Sequence, residues 1–138
     1  MKKLTILLGT IAFVLTMSLQ SCGGGGVAGN SPGAIVKKSI NLVAEKKYDK
    51  LVELYAKKDG TAFTDEEKGK ILGLMTMANA ELVKKQGVKS LDIIEEKISE
   101  DGKTANVKWK ITYGNGEVDN NDGELIKVGN DWKMIIGN

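Results

Sequence analysis

The spacing of apolar residues along the chain changes once, near Gly87. Before that glycine, apolar residues recur about every three to four positions, as they do on one face of an α-helix. From Val88 onward they alternate with polar residues, as they do on one face of a β-strand. The pattern therefore predicts a helical first half and a stranded second half.

The first two predicted helices follow a glycine-rich stretch. Ser31 can cap a helix whose first turn contains Pro32, and this helix is predicted to end near Lys47. A short second helix is predicted to stop at Asp59-Gly60, after four apolar or aromatic residues: Leu51, Val52, Leu54 and Tyr55.

The third predicted helix has the clearest start. Thr64 and Glu67 have the spacing of a capping box, in which each side chain bonds the backbone of the other residue. Gly87 is predicted to end this helix. Its buried stripe is predicted to be Ile71, Met75, Ala78 and Leu82.

Four strands are predicted after the helices. The clearest is Thr104–Tyr113, where apolar and polar residues alternate throughout. Residues 89–99 precede it, a third strand ends around Val128, and the last carries Trp132, Met134 and Ile136. Such alternation indicates an antiparallel sheet with one covered face. The prediction is one α+β domain over residues 32–138, with N-terminal helices packed on a four-stranded antiparallel sheet.

The first residues predict export. Lys2 and Lys3 precede a nearly continuous apolar run at residues 4–17. This run is shorter than the roughly 20 residues of a membrane span and fits the apolar region of a signal peptide. The segment Leu19-Gln20-Ser21-Cys22 resembles the lipobox of bacterial lipoproteins, which implies cleavage before the cysteine and lipid on Cys22.

Residues 1–21 are accordingly predicted to be a lipoprotein signal peptide, and residues 22–31 a lipidated cysteine with a glycine-rich linker. Cys22 is the only cysteine, and lipidation explains an exported thiol without a disulfide partner. We expect a lipid-anchored location in the cell envelope. The outer membrane is favoured because Gly23 follows the cysteine instead of the aspartate of inner-membrane retention. A position facing the periplasm is favoured because the glycine run lacks the acidic residues that a surface-export signal has soon after the cysteine.

The charge of the chain argues against nucleic-acid binding. The sequence has 20 basic and 18 acidic residues. Lys2 and Lys3 account for the excess, so the chain from Cys22 onward is formally neutral. All basic residues are lysines, so the bidentate contacts of arginine with phosphate and guanine are missing. No nucleic-acid partner is predicted.

Two segments resemble motifs of a known group of domains. Residues 45–55 resemble the entry into the second helix of NTF2-like and cystatin-like domains, although Tyr48 precedes Asp49 here and the usual order is the reverse. Residues 129–134 resemble the last strand of the same group. Within it, the chain is most similar to DUF4878, a lipoprotein-associated domain of unknown function. The resemblance implies a curved sheet around the long helix, forming a cone that can hold a pocket.

Few residues are candidates for catalysis. The chain has no histidine, which excludes histidine-dependent nucleophiles and the usual zinc sites, and no cofactor is predicted. Asp49 and Asp92 are the candidate general bases. However, a helix cap at Asp49 and a solvent-facing strand position at Asp92 are the stronger interpretations.

An acidic and amide-rich segment, residues 117–124, suggests calcium binding. Asp122 stands where an EF-hand loop requires glycine, and Asn, Asp and Gly also favour hairpin ends. No metal site is predicted, and a weak calcium site at residues 119–124 stays an open alternative.

The candidate pocket residues are aromatic or flexible apolar side chains, although such residues more often form the core: Tyr55, Met75, Trp109, Tyr113 and Trp132. The leading hypothesis is a membrane-tethered, non-enzymatic module that binds a small ligand or another envelope protein. One alternative is a small isomerase or dehydratase with a carboxylate base, as in some NTF2-like relatives. Another is a purely structural envelope protein, which could dimerise through the outer face of the sheet.

Overall fold

The computed structural model describes residues 30–136, which fold as three helices against one sheet. The predicted signal peptide, Cys22 and most of the linker lie outside the described residues. The elements are α1 Pro32–Ala44, α2 Tyr48–Val52, β1 Tyr55–Ala56, α3 Asp65–Lys84, β2 Val88–Ile98, β3 Thr104–Tyr113, β4 Val118–Val128 and β5 Asp131–Ile135. The α+β class is confirmed.

The sheet has five strands in the order β1-β5-β4-β3-β2. Strands β2 to β5 form the predicted antiparallel meander. The predicted count of four was wrong because β1 pairs in parallel with β5, with Tyr55 beside Met134. Tyr55 was expected in the second helix, but α2 ends at Val52. A two-residue strand has too little pattern of its own to be recognised from sequence.

The inner face of β3 forms the floor of the core. Its five alternate residues, Ala105, Val107, Trp109, Ile111 and Tyr113, are all at most 9% exposed. Helix α1 lies against this face and contacts β2, β3 and β5. Val36, Leu51 and Leu125 are fully buried between the helices and the sheet, so the inner face of the sheet is covered by packed side chains at this level.

Helix α1 begins as predicted and ends earlier. The Ser31 hydroxyl accepts a hydrogen bond from the Ala34 amide at 3.2 Å. The helix ends at Ala44, three residues before the predicted end at Lys47. Lys46 adopts a left-handed conformation with φ of 59°, and reversal of the chain there stops the helix.

Helix α3 has the predicted capping box between Thr64 and Glu67. Ile71 and Met75 are buried as predicted, but Ala78 is exposed and Asn79 is buried in its place. Asn79 tolerates burial because its side-chain amide donates to the carbonyl of Val43 at 2.9 Å. A polar residue was not expected in the stripe, and this tertiary hydrogen bond explains its position.

Strand β2 contains a bulge that turns Glu96 towards α1. The pairing with β3 shifts between Ile93 and Glu95, so Glu96 faces the same side as Val107. Its carboxylate accepts a hydrogen bond from the Gly33 amide at 3.0 Å. A carboxylate at this end of a helix is favourable because the first amides carry partial positive charge. The edge strand and the start of α1 are thereby joined.

Candidate functional site

An open apolar groove lies between α3 and the loop that precedes it. Its volume is about 490 Å³, within the range of roughly 300–1,000 Å³ typical of small-molecule sites. We call it the Phe63 groove, and its lining residues are Lys57, Lys58, Asp59, Phe63, Glu67, Lys70, Ile71, Leu74 and Ile136. Most of the accessible surface of the groove is apolar. We call its apolar side chains the floor and its charged side chains the rim.

The loop beside the groove is held in place by local hydrogen bonds. Gly60, with φ of 82°, allows a tight turn, and its amide donates to the Lys57 carbonyl at 2.8 Å. The Asp59 carboxylate accepts from the Thr61 amide at 2.9 Å and the Thr61 hydroxyl at 2.7 Å. These bonds within the chain order the groove wall, which reduces the entropy lost on binding.

One rim carboxylate has a structural role. Glu67 accepts from the Thr64 amide at 2.8 Å and forms an ion pair with Lys57 at 2.9 Å. The hydrogen bond from Lys57, and then that from Thr64, holds the pKa of Glu67 below its usual value. Glu67 therefore stays ionised and fixes the loop to the first turn of α3, which makes it a poor general acid or base.

A second groove lies on the other side of the same loop. It has a volume of about 480 Å³ and is lined partly by Tyr55, Val128 and Lys133. Phe63 lines both grooves. Burial raises the pKa of the Tyr55 phenol, so this hydroxyl remains protonated at neutral pH. Phe63 is thus the side chain that separates the two openings.

A polar cluster joins the end of α3 to the β3–β4 hairpin. The Lys85 ammonium contacts Asp119 at 2.8 Å and Glu117 at 3.3 Å, and it lies 4.4 Å from the centre of the Tyr113 ring. The Tyr113 hydroxyl donates to the same Asp119 oxygen at 2.8 Å. Burial, followed by the hydrogen bond to Asp119, raises the pKa of Tyr113. The cluster is fully paired and closes the fold at this corner.

The sequence of residues 20–135 matches the family described as "Domain of unknown function (DUF4878)". The chain belongs to the DUF4878 family. The predicted resemblance is confirmed in this respect. A comparison with curated proteins finds no match for the chain.

Two solved structures have a fold similar to that of this DUF4878 chain. A candidate NTF2-like transpeptidase from Campylobacter jejuni aligns with a TM-score of 0.62 at 18% identity, over 77% of this chain and 98% of that chain. A SEC-C motif containing protein from Rhodopseudomonas palustris aligns with a TM-score of 0.51 at 18% identity, over 78% of this chain and 77% of that chain. At such identities the likeness concerns the fold alone, and the fold of the DUF4878 chain is NTF2-like.

The predicted pocket residues of the DUF4878 domain fall into two groups. Four lie in the core, each at most 9% exposed: Met75, Trp109, Tyr113 and Trp132. Tyr55 is half-buried and lines the second groove. The Trp109 indole N–H is buried without a hydrogen-bond partner, the one such side-chain atom found within residues 30–136. Four of the five predicted pocket residues therefore belong to the packed interior, and one lines an opening.

The two candidate general bases are exposed. Asp92 is 3.9 Å from Lys110, with about half of its side chain accessible. Asp49 lies in the first turn of α2, but Lys47 is the N-cap residue and no side chain caps that helix. The interpretation of Asp49 as a helix cap was therefore wrong. Neither carboxylate has the sheltered position expected of a general base that acts on a bound substrate.

The candidate calcium segment forms part of β4. Because side chains alternate across a strand, Asp119 faces the same side as Ile111 while Asp122 faces the same side as Lys108. Asp119 is already bonded to Lys85. Within residues 30–136, no group of three or more acidic, histidine or cysteine side chains could hold a metal ion.

The residues of the Phe63 groove were missed in the sequence. One signal was available: no charged residue occurs between Lys70 and Glu81. This part of α3 has more apolar residues than one buried stripe can cover, and Leu74 remains 57% exposed.

Within residues 30–136, none of the helices has the length and apolar character needed to cross a membrane.

Proposed function

We propose that this chain is a membrane-tethered, extracytoplasmic binding module that takes an apolar ligand into the Phe63 groove and catalyses no reaction. The groove carries the proposal, because it joins an apolar floor of adequate volume to an ordered wall. The apolar floor favours the burial of an aliphatic or aromatic ligand, or of an apolar side chain of an envelope partner. Lys58 at the rim favours a ligand with an acidic end.

The absence of catalysis is proposed from the surroundings of the acidic groups. The candidate bases Asp49 and Asp92 are exposed, and the rim carboxylate Glu67 is bonded to Lys57 and to the Thr64 amide. A carboxylate that works as a base needs a sheltered position with access to a bound substrate. Asp49 and Asp92 are exposed and Glu67 is held by its partners, so no observation on the described residues favours the isomerase or dehydratase alternative.

The groove is tested by dye binding to the chain from Gly23 onward. We expect an environment-sensitive apolar dye to bind, and the variant Phe63→Ser to bind it about tenfold more weakly, because it removes an aromatic wall. The control Val118→Ser likewise removes an apolar side chain, but one that is exposed and lies outside both grooves. Equal dye binding by the Phe63→Ser variant and the unchanged chain would contradict the proposal.

The tether is tested separately in the full chain. Cells supplied with a clickable fatty acid are expected to label the unchanged protein, and Cys22→Ser is expected to abolish the label and release the protein from membranes. The physical basis is that more than one acyl chain is needed for stable anchoring. Labelling that persists in the Cys22→Ser variant would show that lipid is attached elsewhere or not through a lipobox.

A further inference from the structure

We propose that two copies of this chain associate through the outer face of α3, with the two helices antiparallel. This inference does not depend on the ligand groove, because only Lys70 among the α3 residues that it uses also lines the groove. The interacting face is called the outer seam and consists of Glu66, Lys70, Gly73, Met77, Ala80 and Lys84.

The outer seam lies opposite the buried stripe of α3. Successive members are separated by four, three, four, three and four residues, which is the spacing of the a and d positions of a coiled coil. All six are exposed. Met77 is 68% exposed and has no partner in the described part of the chain that covers it. An apolar centre with helix-pairing spacing is therefore left open to water.

The charges at the two ends of α3 make this face self-complementary. The first turn contains Asp65, Glu66 and Glu67, and the last turn contains Lys84, followed by Lys85. In an antiparallel pair the acidic end of each helix meets the basic end of the other, and the two helix dipoles also oppose. A parallel pair would bring like charges together, so the antiparallel arrangement is favoured.

A single register satisfies both the shape and the charge of the outer seam. A two-fold axis that crosses the outer seam at the level of residue 75 places Gly73 opposite the partner's Met77 and Glu66 opposite the partner's Lys84. The long methionine then packs over glycine, which has no side chain to keep the partner helix away. The space around Gly73 is open within its own chain, since no atom lies within 4 Å of a Cβ built there. In the same register Lys70 lies beside the partner's Glu81. Each of these charged groups now pairs within its own helix and is at least 60% exposed.

The contact is small. A helix of 20 residues is about 30 Å long, and pairing of two such helices buries less than the roughly 1,600 Å² of a standard stable interface. We therefore expect a weak dimer in dilute solution. The proposed lipid anchor would concentrate the copies in one membrane and so favour pairing. This part of the inference rests on the proposed tether, while the geometry of the seam does not.

The test uses cysteine cross-linking of the full chain in cells. Two differently tagged copies are expressed together, one with Gly73→Cys and the other with Met77→Cys. The proposed register places these positions opposite each other, within the Cα separation of about 7 Å that a disulfide allows. We expect a dimer that carries both tags. Ile94→Cys in both copies is the control, because Ile94 on β2 is 59% exposed, similar to Met77.

A charge exchange, made in the same two cysteine-bearing copies, tests the antiparallel register. When both copies carry Glu66→Lys, or both carry Lys84→Glu, like charges face each other and we expect about fivefold less mixed dimer. When one copy carries Glu66→Lys and the other Lys84→Glu, opposite charges are restored at both ends and we expect the yield to recover.

Three outcomes would overturn the proposal. One is a mixed-dimer yield no higher than that of the Ile94→Cys control, and another is a yield unaffected by the charge variants. The third is that lipid shields the thiol of the Met77→Cys variant and no cross-link forms, which would assign the seam to the membrane surface. Loss of dye binding in the Phe63→Ser variant with cross-linking intact would support the seam and the groove as separate surfaces.

Discussion

Gly123 on β4 illustrates how closely the inner face of the sheet is packed at the level of single residues. A Cβ at this position would lie 3.1 Å and 3.3 Å from two carbons of the Trp109 ring. The ring is 9% exposed and has little room to move. Glycine is therefore required here for the contact between two neighbouring strands, whereas Gly69 on α3 has open space around it.

We predict that Gly123→Ala lowers the free energy of unfolding by about 1–3 kcal/mol, because the added methyl group overpacks the core. Gly69→Ala is the control. It adds the same methyl group to an exposed helix position and is expected to raise the free energy by about 0.5–1 kcal/mol. Urea denaturation followed by circular dichroism measures both. Similar small effects at the two sites would show that the Trp109 ring adjusts freely.

At the scale of elements, the cluster around Asp119 fixes the C-terminal end of α3 to the sheet. The backbone adds to this connection, since the Gly114 amide donates to the Gly87 carbonyl at 2.9 Å and the Asn115 amide to the Lys85 carbonyl at 3.1 Å. The hydrogen bond from Lys85, and then that from Tyr113, lowers the pKa of Asp119 from its usual value. The ionised carboxylate is thus the form that holds the helix and the hairpin together.

The lowered pKa predicts a dependence of stability on acid. Since the folded-state pKa is below the unfolded-state value of about 4, the unfolded chain binds more protons and stability falls as pH decreases below that value. We expect Asp119→Asn to be less stable than the unchanged chain at neutral pH and to lose less stability on acidification. Urea denaturation between about pH 6 and pH 2 measures the difference. Parallel curves for the two chains would contradict the assignment.

At the scale of the whole molecule, β5 connects the two halves of the chain. It pairs with β4 on one side and with β1 on the other, and it contacts α1. Its inward residues Trp132 and Met134 are 6% and 9% exposed. The last strand therefore lies inside the sheet, and the helical half and the stranded half share one core.

We predict that Trp132→Ala lowers the free energy of unfolding by about 3–5 kcal/mol and leaves a single transition. The helical signal in circular dichroism and the fluorescence of Trp109 should change together. Val118→Ala, at a position that is 49% exposed, should change stability by less than about 0.5 kcal/mol. Two separate transitions would show that the halves unfold independently.

The sequence predicted the order of the helices and the meander because their patterns are local. The alternation of apolar and polar residues predicted both the first and the last residue of β3, and the capping box predicted the start of α3. Strand β1 and the burial of Asn79 were not predicted, because each depends on a partner distant in sequence: Met134 for β1 and Val43 for Asn79.

The candidate site was predicted less well than the fold. The pattern assigned the large aromatic residues correctly to apolar surroundings, but it could not separate a packed interior from an open wall. The Phe63 groove is formed where a loop, α3 and the residue after β5 meet. Its members share no periodicity, so only the excess of apolar residues on α3 indicated that an exposed surface was present.

The hydrogen bond between Gly33 and Glu96 also determines how the domain responds to mechanical force. A pull on the chain from its N-terminal side is applied first at Ser31, at the start of α1. The Glu96 carboxylate transfers part of that tension to β2, an edge strand held to β3 along its length. The Gly33–Glu96 hydrogen bond and the burial of Ile35 and Val36 must be lost before the first helix detaches, so the domain is expected to resist extension from this end.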